Sequence, residues 1–204
     1  MPDLATLLLF AGSAATLVLI PGPNLMYIVT RSVEAGRRAG LASIFGIEMG
    51  TMIHVAAAAF GLSALLASSA VAFEIVKYVG VAYLVYLGIR ALRNGKAPEA
   101  QVAPAGMRRT VAEGVLVNVL NPKVSLFFLA FLPQFVDPEK GSAATQILVL
   151  GLVFIAIAAT LDLLFVLAAN LVGKRLGGGG SQRFAGGVYL ALAALAAATG
   201  GRRS

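Results

Sequence analysis

Two carboxylates, Glu48 and Asp162, and one ammonium, Lys123, stand inside long apolar runs of this 204-residue chain. Charge within hydrocarbon is costly, so each of the three is read first as functional. Either carboxylate could hold a substrate's ammonium or carry an exchanged proton. A carboxylate bonded to a neighbouring helix or facing a water-filled vestibule is the plainer alternative. Two interruptions cut runs of the same kind: Pro21-Gly22-Pro23 followed by Asn24, and Asn121-Pro122 followed by Lys123. Pro21 and Pro23 have no N–H, so the carbonyls of Leu17 and Leu19 lose their helical partners, while Gly22-Pro23 can cap and restart a helix. Asn121 is a favoured N-cap and Pro122 suits the first helical position. At such breaks the freed N–H groups and the positive end of a half-helix attract an anion, and the freed carbonyls attract a cation. A zwitterion fits both. Lys123 opposes no helix C-terminus in the sequence, so its ammonium is expected to meet a carboxylate or to reach toward the cytoplasm.

The remaining polar residues in the runs point to packing. His54 lies on a stripe with Gly46 and Gly50, where Gly-x-x-x-Gly lets helices approach closely, and a packed, hydrogen-bonded imidazole is expected there. Glu48 is off that stripe, which argues against a Glu48–His54 dyad. Asn118 shares a face with Asn121 but is expected to join helices. Tyr83 and Tyr86 read the same way.

The elements that must position these groups are membrane spans. The chain is 59% hydrophobic and 12% charged, outside the balance of soluble domains. Six apolar segments, at about 4–33, 41–67, 71–92, 113–136, 143–172 and 184–201, approach or exceed the ~20 residues needed to cross ~30 Å of hydrocarbon. The third carries Glu74 and Lys77 near its start, which can pair or reach the interface. The first lacks a basic leader and is not expected to be a cleaved signal. The expected fold is an all-α integral membrane protein, one transmembrane domain over 1–204, with repeat 1 at about 1–92, a cytoplasmic linker at 93–112 and repeat 2 at about 113–204. A Gly-rich run at 177–181 reads as a second linker.

Pro122 follows Pro23 by 99 residues, close to half the chain. Three spans per half make the second half enter the membrane from the opposite side, so the breaks fall in helices 1 and 4 of two inverted three-helix repeats. Matched breaks of this kind point to a secondary transporter's binding site. Proline kinks repaired by neighbouring helices would explain one break more readily than two. Eleven Lys and Arg collect on one side (31, 37, 38, 90, 93, 96, 108, 109, 174, 175, 183) and four on the other (77, 140, 202, 203), which predicts extracytoplasmic termini. In this setting the net charge of +7 reports topology, not nucleic-acid binding. The chain has no cysteine and a single histidine, and no HExxH or GxSxG motif, so disulfide, thiol and metal-cage chemistry find no residues and no enzyme is expected. No cofactor is expected.

"PGPNLMYIVTRSVEAGRRAGLASIFGIEMGTMIHVAAAAFGL" (21–62), "GVAYLVYLGIRALR" (80–93) and "NPKVSLFFLAFLPQF" (121–135) together resemble the LysE/RhtB family of bacterial amino-acid exporters. The resemblance implies an inner-membrane exporter of small amino acids or derivatives, of the threonine, homoserine, homoserine lactone or leucine class, driven by proton antiport. The partners are then a small-molecule substrate and the lipid bilayer, with a homo-oligomer left open. An ion or metal-cation exporter or channel on the same fold is the alternative; it would favour several acids on facing helices. The expected substrate-binding set is Pro21, Gly22, Pro23, Asn24, Asn121, Pro122, Lys123, Glu48 and Asp162, with Glu48 and Asp162 as the candidates for proton coupling.

Overall fold

The structure is a computed structural model that describes residues 2–68 and 106–176. All regular elements among the described residues are helical. The expected third span with Glu74, Lys77, Tyr83 and Tyr86, the sixth span, the 177–181 run and most of the 93–112 linker lie outside the described residues.

Helix α1 is Leu4–Leu19, opened by Asp3, whose carboxylate accepts the Thr6 backbone N–H at 2.8 Å. It stops where the prolines remove its donors: Ile20 turns extended, with φ −68° and ψ 120°. The chain becomes helical again over Pro23–Ser68, with one non-helical residue, Gly36, at φ 79° and ψ −179°. That conformation is essentially closed to residues with a Cβ. It divides the stretch into α2 (residues 23–35) and α3 (residues 37–68). The chain reverses at Gly36: Ile28 and Ile44 share one packed cluster with Tyr27, Ile47 and Val166, whereas an unbroken helix would hold that pair about 24 Å apart. The apolar run at 4–33 is thus α1 and α2 with the break between them, and the run at 41–67 falls within α3.

Helix α4, Met107–Val119, begins six residues before the expected start at 113. Residues 107–112 are thus helix and not linker; Met107, Arg108, Arg109 and Ala112 are good helix formers, and Gly106 occupies the cap. After a break at Leu120 and Asn121 the axis bends by 49° into α5, Pro122–Phe135. Helix α5 is one α-helical piece (Pro122–Leu126), a π segment (Phe127–Phe131) and a 3-10 turn (Leu132–Phe135). Pro133 leaves the Leu129 carbonyl without its usual donor, which explains why the regular ladder is lost there. A 3-10 turn at Pro138–Lys140 leads into α6, Ala143–Leu176.

Among the described residues two helical stretches, Pro23–Gly61 and Ala143–Asn170, are long and apolar enough to cross a membrane, or three if the bent pair α4–α5 is one span. Lipid gives apolar helices little reason to associate, so close backbone approach and polar bonds must do much of the joining. Glycines permit it between α3 and α4: a Cβ on Gly46 would lie 2.3 Å from the Val111 carbonyl oxygen, and one on Gly50 would lie 2.7 Å from Asn118 Cβ. On the other side of the bundle Phe10, Phe127, Phe128 and Phe154 fill a core with Val55, Leu132 and Leu150. Ion pairs mark the two ends. Lys140 Nζ meets Asp3 at 2.9 Å at one end, and Glu113 joins Arg31 and Arg109 at the other.

Candidate functional site

The two breaks meet. Asn121 accepts the Lys123 backbone N–H on Oδ1 at 3.0 Å, as an N-cap should. Its Nδ2 donates to Asn24 Oδ1 at 2.8 Å. One amide therefore caps the restarted α5 and ties it to the first turn of α2, across 97 residues of chain. Asn121 is fully buried, so this placement carries an amide whose polar atoms need such partners.

Beside this contact lies a cavity of about 30 Å³, lined by Asn24, Glu48, Thr51, Lys123 and Asp162 with apolar walls that include Leu17, Ile47 and Phe154. It has room for a water molecule or two. Glu48 of α3 and Asp162 of α6, expected separately from sequence, face this one space and interact electrostatically, and Asp162 interacts with Lys123 as well. Both carboxylate oxygens of Glu48 are buried, and no hydrogen bond to a described residue reaches them. Asp162 is 4% exposed. Pro21, Gly22, Pro23 and Pro122 shape the two breaks themselves, with Gly22 buried and Pro23 and Pro122 at the first helical positions of α2 and α5.

Lys123 differs from expectation. Its ammonium donates to the carbonyls of Leu17, at 2.9 Å, and Ile20, at 2.8 Å, at the C-terminal end of α1. A helix C-terminus does oppose it, one more than 100 residues away in sequence. Sequence neighbourhood hides this, because only the packing of α5 against the α1–α2 break brings the two together. The cation attracted by the freed carbonyls is the chain's own.

Asn118 stays out of the cavity and joins helices, donating to the Ile47 carbonyl at 2.8 Å and to Thr51 Oγ1 at 2.9 Å. His54 is packed, with Nε2 3.2 Å from the Asn118 carbonyl oxygen and its ring stacked on Phe128. A polar cluster not anticipated from sequence lies at the end of the bundle nearest Gly106. Arg31, 1% exposed, pairs with Glu113, and its guanidinium lies 5.6 Å from the centre of the Tyr27 ring. Tyr27 Oη donates to the Thr110 carbonyl at 2.7 Å, and Arg109 Nε binds Glu113 at 2.8 Å. Charge counting groups Arg31 with the loop cations. Its spacing of four from Tyr27 on one face of α2 was the signal for an internal position.

A family model described as LysE type translocator matches residues 15–200. A homoserine/homoserine lactone efflux protein of Salmonella typhimurium is 36% identical over 149 residues, 71% of each chain. An uncharacterized membrane protein of Vibrio cholerae is 32% identical over 178 residues, 84% of each chain. A third relative, an uncharacterized membrane protein of Bacillus subtilis, is 30% identical over 164 residues, covering 75% of this chain and 78% of its own. No solved structure gives a significant match.

Proposed function

The chain belongs to the family of LysE type translocators, and from that premise we propose that it is a secondary active exporter of small neutral amino acids or close derivatives, of the homoserine, homoserine lactone, threonine or leucine class, which it exchanges for a proton. Membership makes it a membrane transporter and not an enzyme, and the Salmonella relatives are efflux proteins for homoserine and its lactone. The observation that carries the reading is the contact between the two breaks, Asn121 to Asn24, beside a cavity that also holds Glu48 and Asp162.

In this reading the substrate's carboxylate sits at the first turn of α2, where Gly22 brings no side chain to cap the freed N–H groups. Its ammonium is held by a cavity carboxylate. Glu48 is the better placed to alternate between ammonium and proton, because its buried oxygens receive no hydrogen bond from a described residue, whereas Asp162 has Lys123 as an electrostatic partner. The cavity, at about 30 Å³, is too small for an amino acid, so loading requires the bundle to open. The ion pairs of Arg31 with Glu113 and of Lys140 with Asp3 lie at opposite ends and are the contacts such openings would break. The proposal includes six spans as two inverted repeats in the plasma membrane, the inner membrane where there are two, with both termini outside the cytoplasm. In support, residues 3 and 140 share one end while 31, 109 and 113 share the other, the sides that the Lys and Arg distribution assigns them.

The test is exchange of labelled homoserine and threonine across proteoliposomes, with lysine as contrast, for the parent and for the double variant Asn121→Ala, Pro122→Ala. Healing the α4–α5 break should abolish exchange while the protein still inserts. Exchange at the parent rate by an inserted double variant would make the breaks simple kinks. Preference for lysine would contradict the charge assignment.

A further inference from the structure

We infer that Lys123 is a tethered cation, its ammonium filling a monovalent-cation site built from the Leu17 and Ile20 carbonyls at the end of α1. Three observations carry this. Pro21 removes the helical donor for the Leu17 carbonyl, and the chain turns extended at Ile20, so both oxygens need a partner from elsewhere. Lys123 Nζ supplies it to both, at 2.9 and 2.8 Å. Gly22 lies against the ammonium: a Cβ there would be 3.2 Å from Nζ and would displace the lysine end by a few tenths of an ångström. Two carbonyl oxygens at the negative end of a helix, with the Asp162 carboxylate interacting from across the cavity, form an environment that an alkali ion or a small ammonium would also occupy.

The inference deepens the proposed function of the same cavity. Lys123 is then a fixed charge and not a substrate ligand. Among the described residues the cavity sets one resident cation against two carboxylates, Glu48 and Asp162, which leaves one negative charge for proton and substrate ammonium to compete over. One-for-one exchange follows without any requirement for sodium.

The experiment reads stability, so it can fail while export stands, and export can fail while it succeeds. The full chain is purified as parent, Lys123→Ala and Lys123→Met, and thermal unfolding is followed in choline chloride with sodium, potassium or methylammonium chloride substituted at constant ionic strength. Lys123→Ala empties the site and leaves room. Its midpoint should lie below the parent's in choline and rise saturably with a small cation, by roughly 3–6 °C near tenfold excess over the binding constant. The parent, whose site is full, and Lys123→Met, whose stem blocks it, should not respond. An independent arm uses the absence of native cysteine: Lys123→Cys treated with aminoethyl methanethiosulfonate regains an ammonium near lysine length, whereas methyl methanethiosulfonate adds only a methylthio group. The first reagent should restore the parent midpoint and the second should not. If Lys123→Ala is as stable as the parent in choline and insensitive to every cation, or if both reagents act alike, the tethered cation is wrong.

Discussion

At the level of single residues the site is a set of groups each of which answers a defect in a neighbour. Asn121 caps a helix that would otherwise begin with bare N–H groups, and Lys123 answers carbonyls that a proline stripped of their donors. The nature of these residues was legible in sequence; their partners were not. Pro23, Asn121 and Glu48 stand out because proline, amide and carboxylate are expensive in hydrocarbon. That Lys123 would reach Leu17, 106 positions away, depends on packing that no local pattern encodes. Outside the membrane-spanning segments, Asp3 shows the same principle with a pH consequence. The Thr6 backbone N–H first, and then Lys140, hold its carboxyl well below the usual carboxylate range. A depressed folded-state value means the stabilisation is present above the ordinary carboxylate range and fades as pH falls through and below it. Asp3→Asn should therefore lower the melting temperature slightly at pH 7 and leave it unchanged near the acid limit, as read by thermal unfolding in detergent at stepped pH; an equal shift at both ends would remove the carboxylate from the account.

At the level of elements, break and reversal organise the bundle. The proline breaks and the extent of α6 could be read from the chain, since missing donors and an uninterrupted apolar run leave few alternatives. The six-residue extension of α4 and the π segment in α5 could not. Charged residues masked the former; the latter follows from how Pro133 and a packed row of phenylalanines settle against α1, as when Phe10 meets Phe135 edge-on at 5.3 Å. The Gly46–Gly50 stripe gave away a close helix contact without naming its partner, which is α4. This contact predicts a paired outcome. Gly46→Ala would place a methyl 2.3 Å from a backbone oxygen, and overpacking of this kind costs about 1–3 kcal/mol, a fall in melting temperature of roughly 2–4 °C for each kcal/mol at this size. Gly61→Ala, with no atom of a described residue within 4 Å of the added carbon, should be neutral or stabilising through helix propensity. Equal melting temperatures for the two variants would refute the close α3–α4 packing.

For the whole molecule, the described part of the carrier has an ion pair at each end and a small cavity between them. Its orientation is testable because the chain has no native cysteine. Ser142→Cys and Gly106→Cys, both at exposed positions, should differ in intact cells: a membrane-impermeant maleimide should label the first directly and the second only after permeabilisation. The reverse pattern would invert the topology. In the proposed mechanism this cavity couples efflux of a small amino acid to a proton through Glu48. This coupling is tested most directly by Glu48→Gln in proteoliposomes, which keeps the shape of the side chain and removes its titration. Labelled homoserine exchange at equal pH and uptake driven by an imposed pH gradient would be measured side by side, with Asp162→Asn as the parallel variant. Glu48→Gln should retain exchange and lose the response to the gradient. Full pH-driven transport by Glu48→Gln would contradict this mechanism.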